Sequence, residues 1–162
     1  MEIAIISDTH LPRGSRALPA ECVERLRGAD LVVHAGDLSR LEVLDHLRSL
    51  NPHVVAVYGN VDDDQVRAAL PERALVAAGS KRIAVVHDAG PAAHRLRRLH
   101  MRFPQADAVI FGHSHIPLHE RSGDGFQIFN PGSPTDRRRQ PRHTMGVCHA
   151  GTELEFQLID LG

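Results

Sequence analysis

The sequence has no tryptophan, one tyrosine and two cysteines among its 162 residues. Two cysteines cannot build a disulfide framework, and neither a C-x-x-C pair nor a cysteine/histidine finger spacing occurs. No run approaches the roughly 20 apolar residues that a membrane helix needs. The first residues also lack the basic segment and the longer apolar run of a signal peptide. We therefore predict a cytoplasmic protein that has no membrane partner.

An excess of either charge is also missing, because 19 basic residues face 20 acidic ones and leave a net charge of −1. This balance argues against a generally basic nucleic-acid binder. No aromatic residues alternate with the arginines, so base stacking by a single strand is not favoured either. The length is that of one domain, and we expect residues 1–162 to form it. The abundant residue is histidine, with twelve copies.

Short apolar runs alternate with amphipathic segments in the first half of the chain. Leu41, Leu44, Leu47 and Leu50 fall on one stripe of a predicted helix over 41–50. Such β-α-β alternation implies parallel strands in an α/β sheet. The predicted strands of this part are 2–7, 31–35 and 54–58, and the other predicted helices are 20–27 and 64–70.

The second half changes from this alternation to short strands joined by glycine-containing turns. A sheet of parallel β/α units followed by an antiparallel portion favours a four-layer α/β/β/α sandwich with mixed sheets. The predicted elements here are strands 74–78, 82–86, 108–111, 118–121, 126–129, 145–149 and 153–159, and one helix over 91–103.

Metal-compatible side chains follow five of the predicted strands, at the point where each strand ends. Because the carboxyl ends of parallel strands form the ligand crevice of an α/β sheet, we expect these side chains to share one place. The residues concerned are Asp8, His10, Asp37, Asn60, His87, His113 and His115.

Oxygen and imidazole donors without a thiolate suit Mn²⁺, Fe²⁺, Zn²⁺ or Ni²⁺. Seven such donors exceed what one four-coordinate ion can use. They fit two divalent ions about 3.5–4 Å apart, with one carboxylate bridging them. The sequence therefore predicts a two-metal centre.

The order D-x-H, G-D, G-N-x-D, H and G-H-x-H resembles that of the calcineurin-like metallophosphoesterase superfamily. The size, the Gly59-Asn60-Val61-Asp62 form and the later Asn130-Pro131-Gly132-Ser133 are similar to the small YfcE-like phosphodiesterases. The resemblance implies that Asp8, His10 and His115 hold one metal, that Asn60, His87 and His113 hold the other, and that Asp37 bridges them.

The resemblance also implies a reaction, in which a hydroxide between the two metals attacks a small phosphodiester substrate. Asp37, Asn60 and His10 are the expected catalytic residues, and Mn²⁺ is the expected metal, with Fe, Ni or Zn as alternatives. Related proteins are often dimers or tetramers, so a homo-oligomer is expected, and a nucleic-acid polymer is not the favoured partner.

Two positions depart from the superfamily pattern. Val61 stands where many members have a histidine taken to protonate the leaving group, and losing such an acid costs about 10²–10⁴-fold with poor leaving groups. Asp88 stands where glycine is common, and it either orients a ligand such as His87 or begins the next loop. The arginine cluster Arg137–Arg142 similarly leaves open a phosphate clamp or a solvated loop.

Three other functions remain open. A non-catalytic scaffold uses the same fold in the retromer coat, although some of the metal-ligand residues are typically missing in that case. The other two are a phosphomonoesterase and a nuclease, and the absence of an added domain to position a polymer argues against the nuclease.

Overall fold

The protein consists of ten strands and four helices, as a computed structural model of residues 1–162 describes it. The strands are β1 (Glu2–Ile6), β2 (Leu31–His34), β3 (Val54–Ala56), β4 (Arg73–Ala78), β5 (Lys81–Val86), β6 (Ala108–Ile110), β7 (Leu118–Arg121), β8 (Gln127–Asn130), β9 (Thr144–Ala150) and β10 (Leu154–Asp160). The helices are α1 (Ala20–Gly28), α2 (Leu41–Leu50), α3 (Asp64–Ala69) and α4 (Arg95–Arg102).

The strands form two five-stranded sheets, each of them mixed. The order in the first sheet is β10-β9-β1-β2-β3, in which β1, β2 and β3 are parallel and β9 and β10 are antiparallel additions beside β1. The order in the second is β4-β5-β6-β8-β7, with β5, β6 and β8 parallel. The predicted four-layer α/β/β/α sandwich with mixed sheets is confirmed.

The layers follow from the alternation of side chains along the strands. Ile3 and Ile5 of β1 face the second sheet and pack in one cluster with Ile83 and Phe129. The intervening Ala4 and Ile6 face helices α1, α2 and α3. Full burial of such an aliphatic side chain contributes roughly 1.5–3 kcal/mol. Helix α4 covers the outer face of the second sheet through Leu99.

The contact between the sheets requires a glycine on β9. A Cβ atom on Gly146 would lie 2.3 Å from the ring of Phe129. Gly146 is the register partner of Ile5, so the missing side chain leaves room for the aromatic ring in the middle of the sandwich. This close approach is part of what sets the distance between the two sheets.

One predicted boundary is wrong by about a turn. The helix predicted over 91–103 begins only at Arg95, because His94 has a left-handed φ of 53°. The Arg98 guanidinium donates hydrogen bonds to the carbonyl oxygens of Ala89, Pro91 and Ala93, and these bonds hold the segment before the helix in a loop.

No helix of the protein combines the length and apolar character that a membrane crossing requires.

Candidate metal centre

All seven side chains predicted from the strand ends come together. Two groups, one of Asp8, His10 and His115 and the other of Asp37, His87 and His113, each have donor atoms within 4.8 Å of one another. The amide oxygen of the seventh residue, Asn60, lies 3.0 Å from His87 Nε2 and 3.0 Å from His113 Nδ1. The first group is called cluster 1 below, and the second group with Asn60 is called cluster 2.

A single carboxylate connects the two clusters. The Oδ2 atom of Asp37 lies 3.2 Å from His87 Nε2 in cluster 2 and 3.6 Å from His10 Nε2 in cluster 1. One oxygen atom is thus within reach of donors from both groups, which is the placement that a bridging ligand needs.

Cluster 1 contains a buried oxygen that has no hydrogen-bond partner. Asp8 is fully buried, and its Oδ1 atom accepts no hydrogen bond, although it lies 3.4 Å from His115 Nε2. The Nε2 atoms of His10 and His115 face each other across 3.2 Å. Buried polar atoms without a partner are rare and call for an explanation such as an ion. A divalent cation would use all three donors, so the residues present fit a metal.

Burial and charge shift the protonation of these groups in opposite directions. Burial raises the pKa of Asp8 and lowers the pKa of His10. Burial also opposes the charged forms of Asp37 and His87, but the hydrogen bond between them, together with neighbouring opposite charges and backbone hydrogen bonds, outweighs it. As a result the pKa of Asp37 lies below its ordinary value and the pKa of His87 above it. The carboxylate of Asp37 is therefore kept ionised.

Backbone carbonyls orient two of the imidazole rings. His87 Nδ1 lies 2.8 Å from the carbonyl oxygen of Ala35, and His115 Nδ1 bonds the carbonyl oxygen of Asp136. The bond from Nδ1 to a carbonyl oxygen turns the Nε2 atom of each ring towards the centre, which is the usual orientation of a metal-binding histidine.

The backbone at the candidate ligands is unusual. Five of the seven have a φ in the left-handed region, between 47° and 71°. Non-glycine residues rarely adopt this region, and strained positions of this kind concentrate at functional sites. The five are Asp8, His10, Asp37, His113 and His115.

The sequence leaves the role of Asp62 open between support of the metal ligands and negative charge at the N-terminus of a helix. Asp62 is buried, and its carboxylate accepts hydrogen bonds from the backbone N–H groups of Asp37 (3.0 Å), Ser39 (2.6 Å) and Gly59 (2.6 Å). The next residue, Asp63, is the one that caps helix α3. Asp62 thus connects the loop after β2 to the loop after β3.

The Asn130-Pro131-Gly132-Ser133 segment and the nearby Thr135 support the loop that carries Asp8 of cluster 1. Ser133 Oγ donates to the carbonyl oxygen of Asp8 at 2.8 Å, and Thr135 Oγ1 donates to that of Thr9 at 2.7 Å. Asn130 Nδ2 donates to the carbonyl oxygen of Gly112 at 3.0 Å. The motif therefore ties the loop after β1 to the loop after β6.

The structure answers the open question at Asp88 and places the arginine cluster on an exposed loop. Asp88 is exposed and accepts from the N–H of Gly90 at 2.8 Å, so it begins the next loop, whereas the Ala35 carbonyl orients His87. Arg137 donates to the carbonyl oxygen of Gln140, and Arg142 lies 3.6 Å from Asp160. Arg138 is exposed on the same loop as Asp136, with a left-handed φ of 50°.

Comparison with known proteins places this geometry in context. Residues 1–153 match the model of the calcineurin-like phosphoesterase superfamily domain. A probable metallophosphoesterase of Methanocaldococcus jannaschii is 36% identical, over 99% of this chain and 82% of that protein. A phosphodiesterase of the same organism is 27% identical, over 82% of this chain and 83% of that protein.

The fold is also similar to that of solved structures. The crystal structure of wild-type Vps29 complexed with Zn²⁺ from Entamoeba histolytica superposes with a TM-score of 0.77. The superposition covers 100% of both chains, and their sequences are 23% identical, so this likeness concerns the fold alone.

Proposed function

The chain belongs to the calcineurin-like phosphoesterase superfamily, and from that premise we propose that it is a phosphodiesterase that uses two divalent cations to hydrolyse small phosphodiesters. The observation that carries the proposal is the convergence of clusters 1 and 2 around the Asp37 carboxylate. Oxygen and imidazole donors without a thiolate suit Mn²⁺, Fe²⁺, Zn²⁺ or Ni²⁺, and of these we expect Mn²⁺.

In this proposal Asp8, His10 and His115 hold one cation, Asn60, His87 and His113 hold the other, and Asp37 contacts both. When bound, the cations would make a hydroxide nucleophile available near neutral pH and would offset the charge on the phosphate oxygens.

The protein's own residues would have separate tasks in the reaction. Asp37, whose pKa lies below its ordinary value, supplies negative charge between the two clusters. The Asn60 amide oxygen points at cluster 2 and its Nδ2 makes no hydrogen bond within the protein, so it is free to donate to a phosphate oxygen. His10 is half-buried at the opening of cluster 1, where it can contact the leaving group.

The choice of a diester rests on the neighbouring cavity and on a relative. A cavity of about 290 Å³ adjoins cluster 2 and is bordered by Asn60 and His87 together with Tyr58, Arg67 and Arg102. It offers room for a small substituent beyond the phosphate. The relative at 27% identity is named a phosphodiesterase.

A non-catalytic scaffold is the second candidate, favoured by the likeness of the fold to Vps29. The unpartnered Asp8 Oδ1 favours a bound metal for either candidate, whereas the relative named a phosphodiesterase favours the enzyme. A scaffold would leave every phosphodiester unhydrolysed even when two metals are bound.

The proposal is tested by measuring the metal content of the purified protein and its hydrolysis of bis-p-nitrophenyl phosphate with added Mn²⁺. We expect two metals per chain and a rate that chelator abolishes. Two metals without hydrolysis of any diester in a metabolite panel would favour the scaffold. No bound metal at millimolar Mn²⁺ would refute both the centre and the enzyme.

A further inference from the structure

The loop that carries Asn60 is held from two opposite sides. On its inner side the Asp62 carboxylate accepts the N–H of Gly59 at 2.6 Å. On its outer side the guanidinium of Arg67, which lies on helix α3, donates to three carbonyl oxygens of the same loop. Nε donates to Asp62 at 3.0 Å, and Nη2 donates to Gly59 at 3.2 Å and to Asn60 at 3.1 Å.

The position of Arg67 is itself fixed. Its guanidinium lies over the ring of Tyr58, 4.9 Å from the ring centroid. Helix α3 is anchored by the fully buried Val66 and begins at an N-cap, where Asp63 accepts from the N–H of Val66 at 2.9 Å. Arg67 is therefore a rigid donor on a fixed helix, although its side chain is exposed.

The position of the Asn60 side chain depends on the backbone of its loop. Asn60 is exposed, so packing does not hold its side chain. Its amide oxygen contacts only His87 and His113, which are members of the same cluster. The next residue, Val61, attaches the loop to the centre through its N–H, which donates to Asp37 Oδ1 at 3.0 Å. The placement of the Asn60 oxygen is thus set by the backbone of the loop.

We propose that Arg67 is a positioning residue that fixes the Asn60 amide oxygen in cluster 2 by binding the carbonyl groups of the loop 59–62. This inference rests on the proposed two-metal function. Arg67 would act on cluster 2 through the backbone of the loop, although it also borders the cavity beside cluster 2. One planar guanidinium serves three carbonyls, which an ammonium group cannot do in the same geometry.

The first test compares Mn²⁺ binding by calorimetry in the native protein, Arg67→Gln, Arg67→Lys and the control Arg48→Gln. Arg48 is exposed on α2 and makes no side-chain hydrogen bond or ion pair. We expect both Arg67 variants to bind one of the two ions about 10–100-fold more weakly, as is usual when a residue supporting a ligand is lost. The other ion and the control should keep native affinity.

A second readout needs no metal. In chelator, Arg67→Gln should increase the hydrogen-exchange rate of the Val61 amide by about tenfold, because hydrogen bonds to a charged group no longer restrain the loop. Amides of β1 and β9 should exchange at native rates, which shows that the fold is intact.

The outcomes separate this inference from the proposed function. A native protein that fails to bind two ions would remove the proposed function itself. A native protein that binds two ions, with both Arg67 variants equal to it in affinity and in Val61 exchange, would overturn the positioning role alone. A raised KM with unchanged metal affinity would also overturn it, since Arg67 would then be a substrate contact. Recovery by Arg67→Lys would assign the effect to charge and would likewise contradict it.

Discussion

The carboxylate of Asp37 and the imidazole of His87 lie 3.2 Å apart, although they belong to different sheets. Asp37 follows β2 of the first sheet, whereas His87 follows β5 of the second. The proposed metal centre therefore spans the boundary between the two halves of the sandwich. A ligand that binds there contacts both halves, and its binding free energy adds to the stability of the folded state.

Metal should therefore raise the melting temperature. With Mn²⁺ at about 100 times its dissociation constant, mass action stabilises the fold by about 2.7 kcal/mol for each ion, or about 5.4 kcal/mol for the two proposed ions. For a protein of this size we expect a rise of roughly 10–20 °C in differential scanning calorimetry. Asp37→Asn should abolish most of the rise, and the control Asp45→Asn, an exposed residue of α2, should retain it. An equal rise in Asp37→Asn would mean that the ions bind elsewhere.

Loss of His115 should affect only one of the two proposed sites. His115 lies in cluster 1, and cluster 2 has its own donors in Asn60, His87 and His113. His115→Ala should thus bind about one Mn²⁺ per chain and lose diester hydrolysis by more than about 100-fold, since even partners of ligands contribute 10–100-fold. Metal analysis after gel filtration gives the ratio. A ratio that stays at two would contradict the division into two clusters.

A histidine at position 61 should help poor leaving groups selectively. Val61 is 47% exposed, so its replacement disturbs no packed core. Val61→His should increase hydrolysis of an alkyl phosphodiester by up to about 10²–10⁴-fold, the usual contribution of a general acid. It should leave the p-nitrophenyl ester nearly unchanged, because that leaving group needs no proton. Val61→Asn is the matched control, and equal gains on both esters would argue against acid catalysis.

The buried His34 should make the protein sensitive to acid. His34 is fully buried, with Nε2 3.0 Å from Thr9 Oγ1 and Nδ1 accepting the N–H of Gly36. Burial lowers its pKa to about 3. The unfolded chain, with a histidine pKa of about 6.5, binds the proton first, so stability is lost as the pH falls from 6.5 towards 3.

From this group alone the free energy of unfolding should be about 2 kcal/mol lower at pH 5 than at pH 7. Urea titrations of native protein and His34→Gln, both in chelator, isolate the contribution. The His34 ring should also remain neutral at pH 5 by nitrogen NMR, with the exposed His46 as internal reference. A charged His34 ring in the folded protein at pH 5 would contradict the prediction.

The sequence was sufficient to predict the layers of the sandwich and the convergence of the seven side chains. Both predictions depend on patterns within short stretches of sequence, namely apolar alternation and polar residues at the ends of parallel strands. It was not sufficient for the return of β9 beside β1, because pairing of Ile3 with Cys148 joins residues far apart in the chain. It also did not decide the role of Asp62, whose three backbone partners become its neighbours only when the loops after β2 and β3 meet.

Three glycines border the proposed centre so closely that a methyl group in place of hydrogen would overlap a neighbour. A Cβ atom would lie 2.6 Å from His87 at Gly36, 2.1 Å from Asp37 at Gly59 and 1.9 Å from Ser7 at Gly112. The walls there are main chain, and substitution cannot resize them. Natural or laboratory evolution towards a new ester substrate must therefore act through residues of the outer loops. The candidate metal ligands can stay unchanged while the substrate preference changes.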